Sequence, residues 1–89
     1  MLEAGRYREA TPILRDALAA TGEQVGDCVT PASEACLTYA YALYDLGRSL
    51  QLGGDPAGAV PILQSRLEID NQRPVVQAAL EAARASSRP

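Results

Sequence analysis

Apolar positions along this chain recur at helical rather than strand spacing. Cys36, Ala40, Leu43, Gly47 and Leu50 follow one another in steps of four and three, the stripe that one face of an α-helix presents. Thr30 followed by Pro31 offers an N-cap and a first-turn proline, and Gly53-Gly54 offers a stop, so the pattern predicts a helix over 31–52. Asp55-Pro56 repeats the cap-plus-proline device; the helix it opens carries Ala59, Ile62, Leu63 and Leu67 on its apolar face and is expected to end near Asp70-Asn71. A last helix is predicted over 74–86, turning Val76, Ala79, Leu80 and Ala83 toward its neighbour before the final SSRP frays. The first helix is predicted over 6–20, with Ile13, Leu14, Ala17 and Leu18 as its stripe. Alternating runs of β-branched residues are missing, and abundant alanine favours helix, so the expected class is all-α.

An internal repeat organises these helices. GRYREATPILRDAL, from Gly5 to Leu18, aligns without gaps on GDPAGAVPILQSRL, from Gly54 to Leu67; Pro12-Ile13-Leu14 falls on Pro61-Ile62-Leu63, Ala10 on Ala59 and Leu18 on Leu67. Each copy carries a proline inside its predicted helix. Pro61 removes a bond to the Ala57 carbonyl, and Pro12 is placed alike, so a shared bend or a ragged first turn is expected. Between the copies, residues 21–36 are rich in Gly, Thr and Ser, hold both cysteines and read as a loop.

The segment Ala40 to Asp70, AYALYDLGRSLQLGGDPAGAVPILQSRLEID, resembles a tetratricopeptide repeat. Leu43, Leu46-Gly47, Leu50 and Ala59 occupy the places of that family's large and small signature residues; Gly47 and Ala59 lack bulk, so two antiparallel helices can approach while leucines fill the flanks. Arg66 stands where the family usually has alanine, and Asn71 where a helix-ending proline is common. The resemblance implies antiparallel hairpins of a tetratricopeptide-like α-solenoid, a fragment of a right-handed superhelix. Residues 1–20 would be a truncated first repeat, mainly its helix B, because only Met1 to Ala4 stand for a helix A. Residues 21–30 would be an inserted cysteine-containing loop, 31–71 a complete hairpin and 72–89 a C-terminal capping helix. Equivalent residues of the two copies stand 49 apart, as Gly5 and Gly54 do, against a family period of about 34. The insertion falls in the cysteine-containing connection, and insertions in solenoids map to loops that often face a partner. The chain is also similar to the repeat regions attached to some bacterial, especially actinobacterial, serine/threonine protein kinases, although no glycine-rich phosphate loop, HRD or DFG occurs in it.

Charge and composition narrow the function. The net charge is −3, all eight basic residues are arginines spread from Arg6 to Arg88, and such a chain has no basic patch to draw nucleic acid. Histidine is absent, which removes the commonest general base and metal ligand, and two cysteines are too few for a closed structural zinc site. No apolar run is long enough to span a membrane, and no nucleophile, phosphate-loop or zinc signature appears, so neither membrane insertion, cofactor nor enzymatic activity is expected. The expected role is a protein-interaction module or scaffold that holds a protein or peptide. The alternative is a regulatory or sensory appendage of a bacterial signalling enzyme such as a kinase.

Candidate binding residues lie on the long helix. Tyr41, Tyr44, Asp45, Arg48 and Leu52 project along one side, and tyrosine and arginine are enriched at interfaces. In the tetratricopeptide family helix A lines the concave groove, so the resemblance implies that these five face a ligand; packing of Tyr41 or Tyr44 on the neighbouring repeat is the competing reading. The basic clamp of chaperone-binding members is not apparent, since Tyr44 stands where a lysine-like side chain is expected. Asp45 and Arg48, three apart, would by default form a weak surface ion pair, and Glu68 and Asp70 are expected to be solvated. Cys28 and Cys36 either close a short loop as a disulfide, which implies an oxidising, extracytoplasmic compartment, or remain thiols in a reducing cytosol, Cys36 buried on its helix and Cys28 exposed. Finally, the stripe on the first helix is expected to need a cover, from upstream repeats or from a second copy of the chain in a symmetric homodimer.

Overall fold

The computed structural model describes residues 4–22, 24–30 and 33–87. Among them are four α-helices and one short 3-10 turn, with no strand: α1 Ala4–Thr21, the turn Val25–Asp27, α2 Glu34–Leu52, α3 Pro56–Leu67 and α4 Arg73–Ser87. Each helix packs mainly on its sequence neighbours, α1 with α2, α2 with α3 and α3 with α4, while α2 and α4 touch only slightly.

Local chemistry explains where most of these helices begin and end, and it corrects two expected boundaries. α2 starts at Glu34 because Ser33, in extended conformation, is its N-cap and its hydroxyl accepts the Cys36 N–H at 3.1 Å. Thr30 is therefore not the cap, and Pro31 lies outside the described residues, as do residues 1–3, the greater part of the expected helix A remnant. α3 opens as expected, with Asp55 accepting the Gly58 N–H at 3.0 Å and Pro56 in the first turn. It ends at Leu67 rather than near Asp70, and the chain then turns so that Ile69 is fully buried. Both α1 and α3 run as continuous helix through Pro12 and Pro61, with no ragged turn. Both prolines sit on exposed positions, where a carbonyl that loses its amide partner is open to water.

Two apolar clusters hold the helices together. The larger joins Leu46 and Leu50 of α2, Ala59 and Leu63 of α3, and Ala79, Leu80 and Ala83 of α4, with Leu14 and Leu18 of α1 packed against it. Its tightest point is Gly47, where a methyl group would meet the Leu63 side chain at 2.6 Å. Gly53 closes the α2–α3 turn; its carbonyl accepts the Arg8 Nε–H at 2.7 Å, which ties α1 to that turn, and Gly54 follows at φ +100°. In α1 the stripe is only partly used, since Leu14 and Leu18 pack while Ile13 is 68% exposed and Ala17 is exposed too.

The second cluster contains Cys28, Cys36, Ala40, Leu43 and Ile69. Cys28 and Cys36 are joined as a disulfide, with Cα atoms 5.3 Å apart, and Cys28 is fully buried rather than exposed. Val29 accepts the Asp70 N–H at 2.7 Å, and Tyr39 packs alongside, its phenol pKa raised by burial despite a hydrogen bond with the Val25 backbone. Apart from its 3-10 turn the connection is a loop whose described residues are mostly exposed, and Cys28 is the residue that anchors it against α2 and Ile69.

Candidate functional site

One side of α2 faces the space between its two flanking helices. Near its middle Tyr41 and Tyr44 meet Gln72, Val75 and Val76 of the α4 region, with Arg66 of α3 completing the lining of a cavity of about 180 Å³. One turn on, Tyr44 and Arg48 border a shallower depression against Pro74, Val75 and Ala79. On the opposite flank Asp45 and Arg48 line a surface hollow with Tyr7, Ile13 and Leu14 of α1. The structure thus links four of the five residues expected on this face. Leu52 borders none of these three recesses and stands 40% exposed near the end of the helix.

Their environments differ. Tyr41 is 52% exposed, whereas Tyr44 is half-buried and packs against the larger apolar cluster. Tyr44 thus supports the core and at the same time borders two recesses. Arg48 donates to Gln51 at 2.7 Å, so its observed partner lies one turn after it along the helix rather than one turn before it, where the expected Asp45 stands.

Arg66 was legible only as a departure from the repeat pattern, and the structure gives it a central place. It lies on the buried face of α3 with Ala59 and Leu63 and is 1% exposed. One terminal nitrogen donates to the Asn71 side-chain oxygen Oδ1 at 3.1 Å, while Nε and the other terminal nitrogen are buried without a hydrogen-bond partner. Burial lowers the guanidinium pKa, and the nearby Tyr41 and Tyr44 phenols oppose that shift only in part. An arginine stays charged at neutral pH, so the residue bordering this cavity is a desolvated cation, two of whose nitrogens have no hydrogen-bond partner. A buried, unsatisfied donor costs about 1–3 kcal/mol, and more when charged, which sets Arg66 apart from an ordinary packing residue.

The rim of the cavity carries a second irregularity. Gln72 has φ +56°, the left-handed region that non-glycine residues seldom adopt, and its carbonyl accepts the N–H groups of Val75 and Val76 as α4 begins. Asn71 and Gln72 thus join Arg66 at the turn between α3 and α4, one as its hydrogen-bond partner and one in the cavity wall. Among the described residues no group of histidine, cysteine or acidic side chains is arranged to hold a metal ion, and no helix is long and apolar enough to cross a membrane. Comparisons of the chain with protein-family models, with curated proteins and with solved structures found no match.

Proposed function

We propose that this chain is a protein-interaction module of tetratricopeptide character that holds a peptide or protein segment along the exposed side of α2. The carrying observation is the convergence of Tyr41, Tyr44 and Arg48 with the α4 residues Val75 and Ala79 on adjoining recesses. Interfaces concentrate their binding free energy in such tyrosines and arginines, set where apolar surface lies beside hydrogen-bonding tips. The contact order supports a solenoid arrangement, because each helix packs mainly on its sequence neighbours. Close approach at Gly47 is the packing that the repeat pattern calls for, and α4 then follows as the next helix beside α2. The disulfide fits an oxidising compartment.

Selection of peptides from a display library on the intact chain, followed by affinity measurement, tests this reading. Tyr44→Ala and Arg48→Ala should each weaken a selected peptide by about 1–2 kcal/mol while the far-ultraviolet circular dichroism stays unchanged. Selected peptides whose affinity ignores both substitutions would refute the assignment of this face.

A further inference from the structure

The internal repeat sets one helical sequence in two surroundings, and the difference between them marks a surface on α1. Gly5 to Leu18 of α1 match Gly54 to Leu67, most of which form α3. Toward the helix that follows each copy, burial is alike: Tyr7, Thr11 and Leu18 are half-buried, and so are their counterparts Pro56, Val60 and Leu67. On the solvent side it is alike again, since Pro12 and Arg15 are exposed, as are Pro61 and Gln64. The copies part on the side that α3 turns to α2. There Ala59 and Leu63 are fully buried, Arg66 is buried and Ile62 is half-buried, whereas Ala10 and Leu14 are only half-buried, Ala17 is exposed and Ile13 is 68% exposed.

We infer that this side of α1 is a docking site for a helix of a separate protein, seated on α1 as α2 is seated on α3. The second copy of the repeat shows what such a helix must carry. α2 lies on α3 with Gly47 over Leu63 and Ile62, whose side chains a methyl carbon would meet at 2.6 Å and 3.5 Å, and with Leu46 and Leu50 in the shared apolar cluster. Leu14 and Ile13 stand for Leu63 and Ile62, so the guest helix needs a glycine facing them and large aliphatic residues beside it. Ala17 stands for Arg66, so the row Ala10, Ile13, Leu14 and Ala17 is apolar throughout and asks for no charged group from its guest. The fold also shows that there is room. α2 and α4 both pack on α3 while touching each other only slightly, and a helix in the equivalent place on α1 would lie beside α2 in the same way.

A second copy of the chain does not offer such a guest. Among the described helices, α2 alone carries a glycine in its interior, because Gly5 and Gly58 fall in the first turns of α1 and α3. α2 is held between α1 and α3, so another copy could present Gly47 only by opening its own fold. α4 contains no glycine, and its open surface carries Arg84 and the pair in which Gln77 donates to Glu81. The uncovered row of α1 has no glycine either, so two copies of α1 face to face would leave Leu14 without the small residue that Leu63 enjoys. This surface lies on α1 and does not depend on the reading of the α2 side as a binding face.

The probe is the α2 sequence itself, a blocked synthetic peptide of residues 33–53 with Cys36→Ser, titrated into the intact chain with its disulfide closed. Binding should saturate with Kd on the order of 0.1 mM, weakened by the cost of forming an isolated helix. Nuclear magnetic resonance should place it at the methyl groups of Ala10, Ile13 and Ala17. The same peptide with Gly47→Leu should bind at least about tenfold more weakly, because the leucine cannot sit over Leu14. Ile13→Asp and Ala17→Asp change exposed positions of the chain, so they leave its fold intact, and each should weaken the parent peptide at least about tenfold. Gln64→Asp, on the exposed side of α3, should leave binding unchanged. Absence of saturable binding, equal affinity for the glycine and leucine peptides, or indifference to both aspartate variants would overturn the proposal. Shifts confined to α3, where the peptide would have exchanged with the chain's own α2, would overturn it too. Sedimentation of the chain alone should show a monomer; a dimer that Ala17→Asp dissociates would make a second copy the occupant and reject a separate protein.

Discussion

The two ends of α3 solve the same packing problem in opposite ways. Ahead of its last turn, Ala59 and Leu63 are buried against α2 so closely that Gly47 has no room for a methyl group. At its last turn the next buried position is Arg66, and contact gives way to a cavity with an unsatisfied cation. One end maximises dispersion and water exclusion; the other keeps a charged group where an apolar one would pack without penalty. Proteins retain such local conflicts mostly where function requires them.

The tight end should show the larger response. Leu63→Ala is expected to destabilise by about 3 kcal/mol through lost burial and a residual void. Gly47→Ala should cost about 2 kcal/mol in the native background, because the added carbon meets the Leu63 side chain, which must shift. In the Leu63→Ala background the same substitution should become neutral or favourable, since alanine is the better helix former by about 1 kcal/mol. Denaturant unfolding of the four proteins gives the coupling directly. Additive penalties would show that the Gly47–Leu63 approach does not limit packing.

Covalent bracing compensates at the looser end. Ile69, just past Arg66, packs into the cluster closed by Cys28 and Cys36, and Asp70 is hydrogen-bonded to Val29 beside that bridge. Closing a loop of this length stabilises by about 2.5 kcal/mol in the chain-entropy model, a substantial share of the few kcal/mol available to a chain of this size. Cys28→Ala/Cys36→Ala is thus expected to lower stability by roughly that amount. Hydrogen exchange should accelerate first around residues 66–72 and only later around 59–63. Uniform acceleration would mean that the two ends of α3 do not differ in the way the packing indicates.

Arg66 itself should respond in the opposite direction. Replacing an incompletely paired buried charge with an apolar side chain of similar length is commonly neutral or stabilising, so Arg66→Met is expected to raise stability by about 1 kcal/mol even though its bond to Asn71 is lost. Thermal unfolding at matched ionic strength measures this. A loss of 3 kcal/mol or more would show that the guanidinium is a structural keystone whose satisfied nitrogen outweighs the two that are not.

Much of this contrast was legible in the chain, but not all of it. The α2 stripe Cys36, Ala40, Leu43, Gly47 and Leu50 and the α4 set Val76, Ala79, Leu80 and Ala83 are buried as their spacing predicts, because an amphipathic helix has one face to bury. On α3 the buried face is Ala59, Leu63 and Arg66, while Ile62 and Leu67, expected there, are only half-buried. Hydrophobicity could not place a guanidinium on that face; the available signal was the departure from alanine at Arg66, and it points to altered packing without revealing a cavity. The packing of the cysteine connection was hidden for a related reason. Gly, Thr and Ser mark a loop by local preference, but they do not register that Cys28 and Ile69 meet across the fold. Tyr41, Tyr44 and Arg48 could be grouped from helical spacing alone, whereas their recesses depend on α4, which arrives through the turn at Gln72.

That turn supplies the smallest and most selective test. Gln72 holds φ +56°, a conformation in which its Cβ crowds the backbone, and the surrounding turn fixes it there because its carbonyl receives both Val75 and Val76 N–H groups as α4 starts. Glycine reaches the same φ without that crowding, although it loses more chain entropy on folding. The two effects partly cancel, and Gln72→Gly is expected to raise folding stability by about 0.5 kcal/mol. Its side chain also forms part of the cavity wall, so the same substitution widens the space beside Arg66. Denaturant unfolding should therefore show a slightly higher midpoint for Gln72→Gly. Gln72→Ala removes the same wall but keeps the backbone strain, so it should show no such gain in stability. If glycine instead destabilises the chain while alanine is harmless, the left-handed turn is not strained, and the difference between the two ends of α3 reduces to Arg66 alone.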